Sequence, residues 1–240
     1  TSDDWFRSDY IIVWVGNPSY TRIPEIHFMH EARYRGARLV VIAPDFNATA
    51  VHADLWLNVR PESDAALGLA AAQVIVSENL YDVEYVREQT DLPILVRQDD
   101  QRFLREADLV ADGRDDVFYV WDEASGAPAI APGSQGMSKP TLALAGLRPA
   151  LEGTREVRLA DGSRVTVEPV FELLRRQLDE RYTPEHASAV STIGADTIRA
   201  ALTAQRAQVL ANYRTDLLAL GEILTQSRER VTIDDDIEAR

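Results

Sequence analysis

The 240-residue chain contains no cysteine, and Lys139 is its only lysine. Without cysteine the chain itself cannot form disulfides, thiolate zinc sites or cysteine-ligated iron–sulfur clusters. No apolar run in the sequence approaches the roughly 20 residues that a transmembrane helix needs. We therefore expect no membrane insertion by this chain and no metal site built on thiolates.

Positive charge is also scarce, since the formal net charge is −14. Partners rich in phosphate, such as nucleic acids and anionic membranes, require a basic face on the protein. We therefore expect no nucleic-acid partner. Apolar residues make up 45% of the chain and charged residues 27%, which is typical of a globular protein with a buried core.

The most regular part of the sequence runs from residue 10 to residue 78. The apolar run from Tyr10 to Val15 predicts a buried parallel strand. Pro24 at the start of a helical stretch and Gly36 just after it are common helix start and stop signals. The predicted order is strand 10–15, helix 23–35, strand 38–43, short strand 55–59 and helix 64–78, with Ser63 as the cap of the last helix.

The remaining sequence is less regular. The Gly- and Pro-rich stretch 112–140 predicts a surface excursion with one strand at 117–121, and Asp161-Gly162 predicts a hairpin turn. We also expect Trp14, Trp56 and Trp121 to lie in the core. Further predicted elements are helix 82–90, an extended segment 92–97, helices 170–180 and 184–190, a helical stretch 197–228 and an acidic tail around 234–236.

The loop between the first strand and its helix is the first candidate site. In open α/β sheets, ligands bind beyond the carboxyl ends of the strands. Gly16 would let the backbone come close to a phosphate, while Asn17 and Thr21 offer neutral hydrogen-bond donors. A single glycine is not the dinucleotide fingerprint of three spaced glycines. A plain turn would use the same residues, so both interpretations stay open.

Two aspartates are expected at the same edge of the sheet. Asp45 follows the second strand, where related folds place an acid on ribose hydroxyls. A turn after Pro44 explains it equally well. Asp64 begins a helix, where it could accept hydrogen bonds from a guanine base or simply stabilise the helix dipole.

Other chemistry finds little support in the sequence. His27, His30 and Glu31 share one helix face and could in principle meet a metal. A polar helix face explains them better, so no metal ligand is predicted. No serine lies in a nucleophile-elbow sequence, and no catalytic residue is predicted within this chain.

Several segments resemble, in order, the dimethyl sulfoxide reductase family of molybdenum enzymes. They include VWVGNPSYTRIP at 13–24 and RPESDAAL at 60–67, the latter similar to the family's RPGTDxAL. Glu62 and Ser63 stand where the family has Gly-Thr. The similarity spans about residues 5 to 206 and is greatest to catalytic subunits of the second type. These include nitrate, selenate and chlorate reductases and the dehydrogenases of dimethyl sulfide and ethylbenzene.

This resemblance implies a cofactor, molybdopterin guanine dinucleotide. Gly16 and Asn17 would lie beside the dinucleotide, Asp45 near ribose or guanine, and Asp64 at the guanine. The family holds molybdenum between two such dinucleotides, with iron–sulfur clusters that this chain would not contain. Implied partners are the missing parts of the same subunit and an iron–sulfur electron-transfer subunit. A periplasmic or membrane-associated respiratory location is also implied.

The expected fold class is therefore α/β. It comprises a Rossmann-like parallel sheet over 1–80, an extended mixed lobe over 81–180 and a helical C-terminal end with an acidic tail over 181–240. The expected function is that of a fragment of a molybdenum-dependent catalytic subunit, inactive alone, that binds one dinucleotide. Two alternatives remain open at this point: a truncated, non-catalytic module for cofactor or subunit binding, and an unrelated α/β enzyme with a nucleotide substrate.

Overall fold

A computed structural model describes residues 2–134, 143–201 and 203. Contacts divide the chain into two compact units, one formed by Thr1–Ala71 with Pro184–Arg240 and the other by Ala72–Thr183. Each unit is described by itself below. The predicted helix beyond residue 203 and the predicted acidic tail lie outside the described residues.

The first unit is built on a parallel three-stranded sheet with the order β1-β2-β3. This confirms the predicted parallel sheet and a mixed α/β architecture. The strands are β1 (Tyr10–Trp14), β2 (Arg38–Ile42) and β3 (Leu55–Leu57). The helices are α1 (Pro18–Thr21), α2 (Ile26–Tyr34) and α3 (Asp64–Ser77), of which α3 belongs to this unit as far as Ala71, with short 3-10 helices at Ser2–Arg7 and Ala50–His52.

Helices cover both faces of the central strand β2, in which only Arg38 is not fully buried. Met29 of α2 packs with Leu39 and Val41 on one face. On the other face, Val40 and Ile42 pack in a cluster that includes residues of α3 and of the C-terminal helices. Burying a side chain of this size contributes about 1.5–3 kcal/mol, so both faces of β2 stabilise the sheet.

Strand β1 differs from its prediction as a buried strand. Only Val13 is buried within it, while Ile12 is 41% and Trp14 37% exposed. The reason is its place in the sheet, because within the described residues β1 pairs only with β2. The prediction that Trp14 belongs to the core is therefore wrong.

The first described part of the chain also contains a turn of helix that the sequence did not indicate. Pro18 begins α1 inside the segment predicted as a loop, and α2 starts at Ile26 rather than at Pro24. Gly36 adopts a φ of +100° just after α2, which a glycine accepts without strain. The predicted end of the helix is thereby confirmed.

The second unit contains a three-stranded antiparallel sheet with the order β4-β8-β7. Its core is formed by Leu95, Leu104, Val157, Val165 and Val167. The elements are α4 (Val83–Gln89), β4 (Leu95–Arg97), α5 (Glu106–Leu109), β5 (Tyr119–Asp122), β6 (Ala127–Ile130), β7 (Arg155–Arg158), β8 (Arg164–Pro169) and α6 (Val170–Arg181).

Two hairpins occur among the described residues of this unit, and one of them was not predicted. The Asp161-Gly162 turn joins β7 to β8 as expected, with Gly162 at a φ of +88°. Strand β6 instead pairs antiparallel with β5 inside the stretch predicted as a surface excursion with a single strand. The sequence of this strand did not predict it, because Pro128 lacks the amide proton that pairs in a sheet and the neighbouring residues are small.

The C-terminal part of the first unit is helical as far as the structure describes it. Helix α7 spans Pro184–Ser191, and residues 195–201 are also helical. Both contribute to the core, through Ala187 and Ile198. No helix among the described residues is long and apolar enough to cross a lipid bilayer.

A buried carboxylate organises the β5–β6 turn in the second unit. Asp122 is 6% exposed and accepts hydrogen bonds from the backbone amides of Ala124, Ser125 and Arg148 at 3.2, 3.0 and 2.9 Å. These bonds favour the ionised form. The bond from Arg148 is the main cause, and together they lower the pKa of Asp122 to about 2.

We predict that Asp122 makes the stability of this unit depend on acidity. Its folded pKa of about 2 lies below the value of about 3.9 for an unfolded aspartate. The stabilisation is therefore complete above pH ~4 and is lost as the pH falls towards 2. In urea unfolding followed across this window, Asp122→Asn should be less stable at neutral pH and less sensitive to acid. The fully exposed Asp196→Asn provides the control; equal behaviour of the two variants would contradict the prediction.

Candidate functional site

Three of the five predicted site residues lie near one edge of the parallel sheet formed by β1, β2 and β3. Trp14 is in register with Ile42, and Ile42 with Leu57, so the three strands end at one edge of the sheet. Gly16 and Asp45 lie just beyond this edge, after β1 and β2. Asp64 is tied to it by a hydrogen bond from Trp14. The predicted placement is confirmed, whereas the binding role of these residues stays a prediction.

The loop after β1 begins with an uncommon backbone conformation. Val15 has a φ of +52°, which a β-branched residue adopts only under strain. Gly16 follows without a positive φ, so conformational freedom is not why glycine stands there. A Cβ at Gly16 would lie 3.3 Å from Cγ1 of Val13, a tight contact. A larger residue at this position would therefore require the Val13 side chain to move slightly.

Asn17 and Thr21 are both engaged within the loop. The Asn17 carbonyl oxygen accepts hydrogen bonds from the Thr21 amide and from the Thr21 hydroxyl, each at 3.0 Å. The side-chain oxygen of Asn17 accepts a further bond from the Thr49 hydroxyl at 2.8 Å. Thr21 is exposed at the surface. These hydrogen bonds stabilise the loop as a turn, and its outer side faces solvent.

Thr49 connects the loop after β1 with the loop after β2, and sequence analysis did not identify it. Its side chain is fully buried, and its hydroxyl oxygen also accepts a hydrogen bond from the Ser19 amide at 3.1 Å. The Asn47 side chain accepts bonds from the amides of Thr49 and Ala50, which orients this segment. An Asn placed two residues before a Thr is the only sequence signal for such a turn.

Asp45 lies in the exposed segment after β2. Its backbone carbonyl accepts a hydrogen bond from the Asn47 amide at 3.0 Å, which closes a tight turn. The turn expected after Pro44 is therefore present. The carboxylate of Asp45 is exposed to solvent at the carboxyl edge and is accessible to a ligand.

Asp64 is the first residue of α3, and its carboxylate accepts a hydrogen bond from the Trp14 indole nitrogen at 2.7 Å. The preceding Ser63 hydroxyl donates to the Arg60 carbonyl at 2.6 Å. Glu62 has a φ of +71°, in the left-handed region that favours glycine. This explains structurally why Gly is usual in the family motif at this position, and why Glu62 is a strained replacement.

The histidines of α2 do not cluster as a metal site. His27 contacts the Phe28 ring, whereas His30 meets His52 edge to face with 4.8 Å between ring centroids. Burial is the main reason why the pKa of His30 is lowered, with smaller effects from His52 and Arg33. Nowhere in the described part of the chain do three His, Cys, Asp or Glu side chains come together around a possible metal ion.

The sequence as a whole identifies the family. A family model described as molybdopterin oxidoreductase matches residues 1–232, and the chain belongs to this family. Its curated relatives are alpha subunits of perchlorate, chlorate and nitrate reductases and of dimethylsulfide dehydrogenase. The chain thus groups with catalytic subunits of the second type of the dimethyl sulfoxide reductase family. The predicted resemblance is confirmed, and the alternative of an unrelated enzyme is wrong.

Three relatives illustrate the extent of the similarity. The perchlorate reductase subunit alpha of Dechloromonas aromatica (strain RCB) is 39% identical over 95% of this chain and 27% of its own length. The dimethylsulfide dehydrogenase subunit alpha of Rhodovulum sulfidophilum is 42% identical over 92% of this chain and 23% of its own. The chlorate reductase subunit alpha of Ideonella dechloratans is 46% identical over 83% of this chain and 21% of its own.

The 240 residues therefore correspond to about a quarter of these relatives, between 21 and 27% of their length. Family membership implies a molybdopterin cofactor with molybdenum. The three relatives are each named as alpha subunits.

We predict that Thr49→Val destabilises the first unit. Valine has the shape of threonine but leaves Asn17 Oδ1 and the Ser19 amide without their partner, which costs about 1–3 kcal/mol. Thr49→Ser keeps the hydroxyl and loses one buried methyl, at about 0.8 kcal/mol. The free energy of unfolding in urea measures both. A valine variant no less stable than the serine variant would show that the hydrogen bonds are unimportant.

We also predict that Glu62→Gly stabilises the chain. A left-handed residue with a Cβ costs about 1–2 kcal/mol, and glycine relieves this at an entropic cost of about 0.5–1 kcal/mol. The expected gain in unfolding free energy is about 0.5–1 kcal/mol. Glu62→Ala removes the same charge but keeps the Cβ, so it should show no such gain. If alanine stabilised as much as glycine, the effect would come from charge and not from the backbone.

Proposed function

We propose that the carboxyl edge of β1–β3 binds the guanine nucleotide end of molybdopterin guanine dinucleotide within a Rossmann-like half-domain. The observation that carries this proposal is the convergence of Gly16, Asp45 and Asp64 at one sheet edge, where open parallel sheets bind nucleotides. The chain would then serve as part of the catalytic subunit of a molybdenum-dependent oxidoreductase.

The loop after β1 would lie beside the phosphates of the dinucleotide. Gly16 keeps the backbone free of a side chain, and Asn17 offers an amide that carries no charge. Arg22 is already paired with Glu25 at 3.0 Å. A pyrophosphate here would accordingly be bound mainly by neutral donors, with Thr21 stabilising the loop through its bond to Asn17.

The two aspartates would recognise the nucleoside. Asp45 is exposed after β2, at the position where such folds hold a ribose. Asp64 offers a carboxylate, which matches the two adjacent N–H donors on the edge of guanine. Its place in the first turn of the 14-residue helix α3 also favours the negative charge.

The remaining functions belong to the complete subunit. When bound, the cofactor supplies a molybdenum centre for oxygen-atom transfer or hydroxylation. We propose an iron–sulfur electron-transfer subunit as the partner, as the family resemblance implies. The relatives' names as alpha subunits support the presence of a further subunit. Within the chain, residues 1–80 would form the dinucleotide-binding part, 81–180 a mixed lobe and 181–240 a helical end.

We predict that Asp64→Asn in the complete subunit lowers the guanine nucleotide content and leaves the fold intact. The amide keeps only one good acceptor and brings a donor towards the guanine donors. Losing a charge-assisted pair costs about 1.5–3 kcal/mol, or roughly ten- to a hundredfold in affinity. Nucleotide content and melting temperature are measured together.

The control is Asp82→Asn, which alters another aspartate at a helix start, since Asp82 accepts a bond from the Tyr85 amide at 3.0 Å. This variant should keep its nucleotide. If Asp64→Asn also kept a full complement of guanine nucleotide and only its melting temperature fell slightly, Asp64 would be a helix-start residue. The guanine-binding proposal would then be rejected, leaving the non-catalytic module as the alternative.

A further inference from the structure

Trp14 holds an unusual position at the carboxyl edge of the sheet. It is the last residue of β1, and it remains 37% exposed. The indole lies along the first turns of α3, since its nitrogen is 2.7 Å from Asp64 Oδ1 and its Cη2 atom would be 3.8 Å from a Cβ built on Gly68. The exposed ring is therefore held through its nitrogen at the start of α3, with its far edge close to Gly68.

The indole restricts the carboxylate of Asp64. A carboxylate at the start of a helix otherwise rotates about its side-chain bonds, and an indole N–H to an ionised oxygen is a strong hydrogen bond. Each carboxylate oxygen has two lone pairs, so Oδ1 can accept a second bond while Oδ2 accepts others. Trp14 thus orients both oxygens and leaves them able to accept hydrogen bonds from a ligand.

The type of side chain is informative as well. Indole nitrogen is a donor only, whereas Ser, Asn and Gln also bring acceptors. A neighbouring acceptor would compete with the carboxylate for the N–H groups of a bound base. Tryptophan at this position therefore adds no competing acceptor.

We propose that Trp14 is a positioning residue for base recognition: its indole N–H holds the Asp64 carboxylate so that both oxygens meet the two N–H donors of guanine. This inference rests on the proposed guanine site. It assigns a role in ligand selection to a tryptophan that its strand pattern had predicted to be core.

The test is calorimetric titration of the complete subunit, in cofactor-free form, with GMP and with IMP. Hypoxanthine keeps the N1–H of guanine but lacks its 2-amino group, so the ratio of the two affinities reports whether both carboxylate oxygens are used. The variants are Trp14→Phe, Asp64→Asn and the double variant. Trp56→Phe is the matched control, because its indole donates to the Ala43 carbonyl at 3.0 Å away from Asp64.

We expect Trp14→Phe to weaken GMP binding by about three- to tenfold and IMP binding by less. An effect of this size is typical when two residues in direct contact, here Trp14 and Asp64, act together. The selectivity ratio should therefore fall. The double variant should be no less selective than Asp64→Asn alone, and Trp56→Phe should keep the wild-type ratio. Trp14→Leu, which also has no side-chain donor, replaces Trp14→Phe if circular dichroism shows the latter unfolded.

Two results would overturn the inference while sparing the proposed function. In one, Asp64→Asn loses selectivity but Trp14→Phe keeps it; in the other, Trp14→Phe weakens GMP and IMP equally, as a purely structural change would. A wild-type subunit that does not prefer GMP to IMP would instead reject the guanine site itself. The affinity ratio therefore separates failure of the inference from failure of the function on which it depends.

Discussion

Parallel pairing of β2 with strands on both sides is the constraint on which the candidate site depends. Side chains of β2 are buried on both faces of the sheet, so neither neighbouring strand can slip without exposing them. This register brings the ends of all three strands to one edge. Loops that are distant in sequence, such as those carrying Gly16 and Asp45, then become neighbours without any direct bond between those two residues.

Much of this architecture was predictable because local patterns and tertiary packing agree. The apolar run 38–43, the helix stop at Gly36 and the Asp161-Gly162 turn each correspond to an observed element. In these cases the pattern and its physical cause lie within a few residues of each other. Strand β6 escaped prediction because its pairing with β5 overrides the local signal of Pro128.

The position of the candidate site could be predicted from the sequence, but the hydrogen bonds that connect its residues could not. The three residues Gly16, Asp45 and Asp64 could be placed at one edge from strand order alone. The hydrogen bond from Trp14 to Asp64 spans 50 positions and that from Thr49 to Asn17 spans 32, so no local pattern contains them. The exposure of Trp14 could not be predicted either, because the sequence of an apolar strand does not show whether it lies at the centre of a sheet or at its side.

The left-handed conformation of Val15 lowers folding stability, and it also restricts the loop in which a ligand would bind. A β-branched residue in this conformation has few alternatives open to it, and the Asn17–Thr49 bond holds the following turn. The ordering entropy of the loop is thereby lost when the protein folds, and little remains to be lost when a ligand arrives. The strained conformation of Val15 thus lowers folding stability, and it would leave the loop preorganised for the proposed dinucleotide.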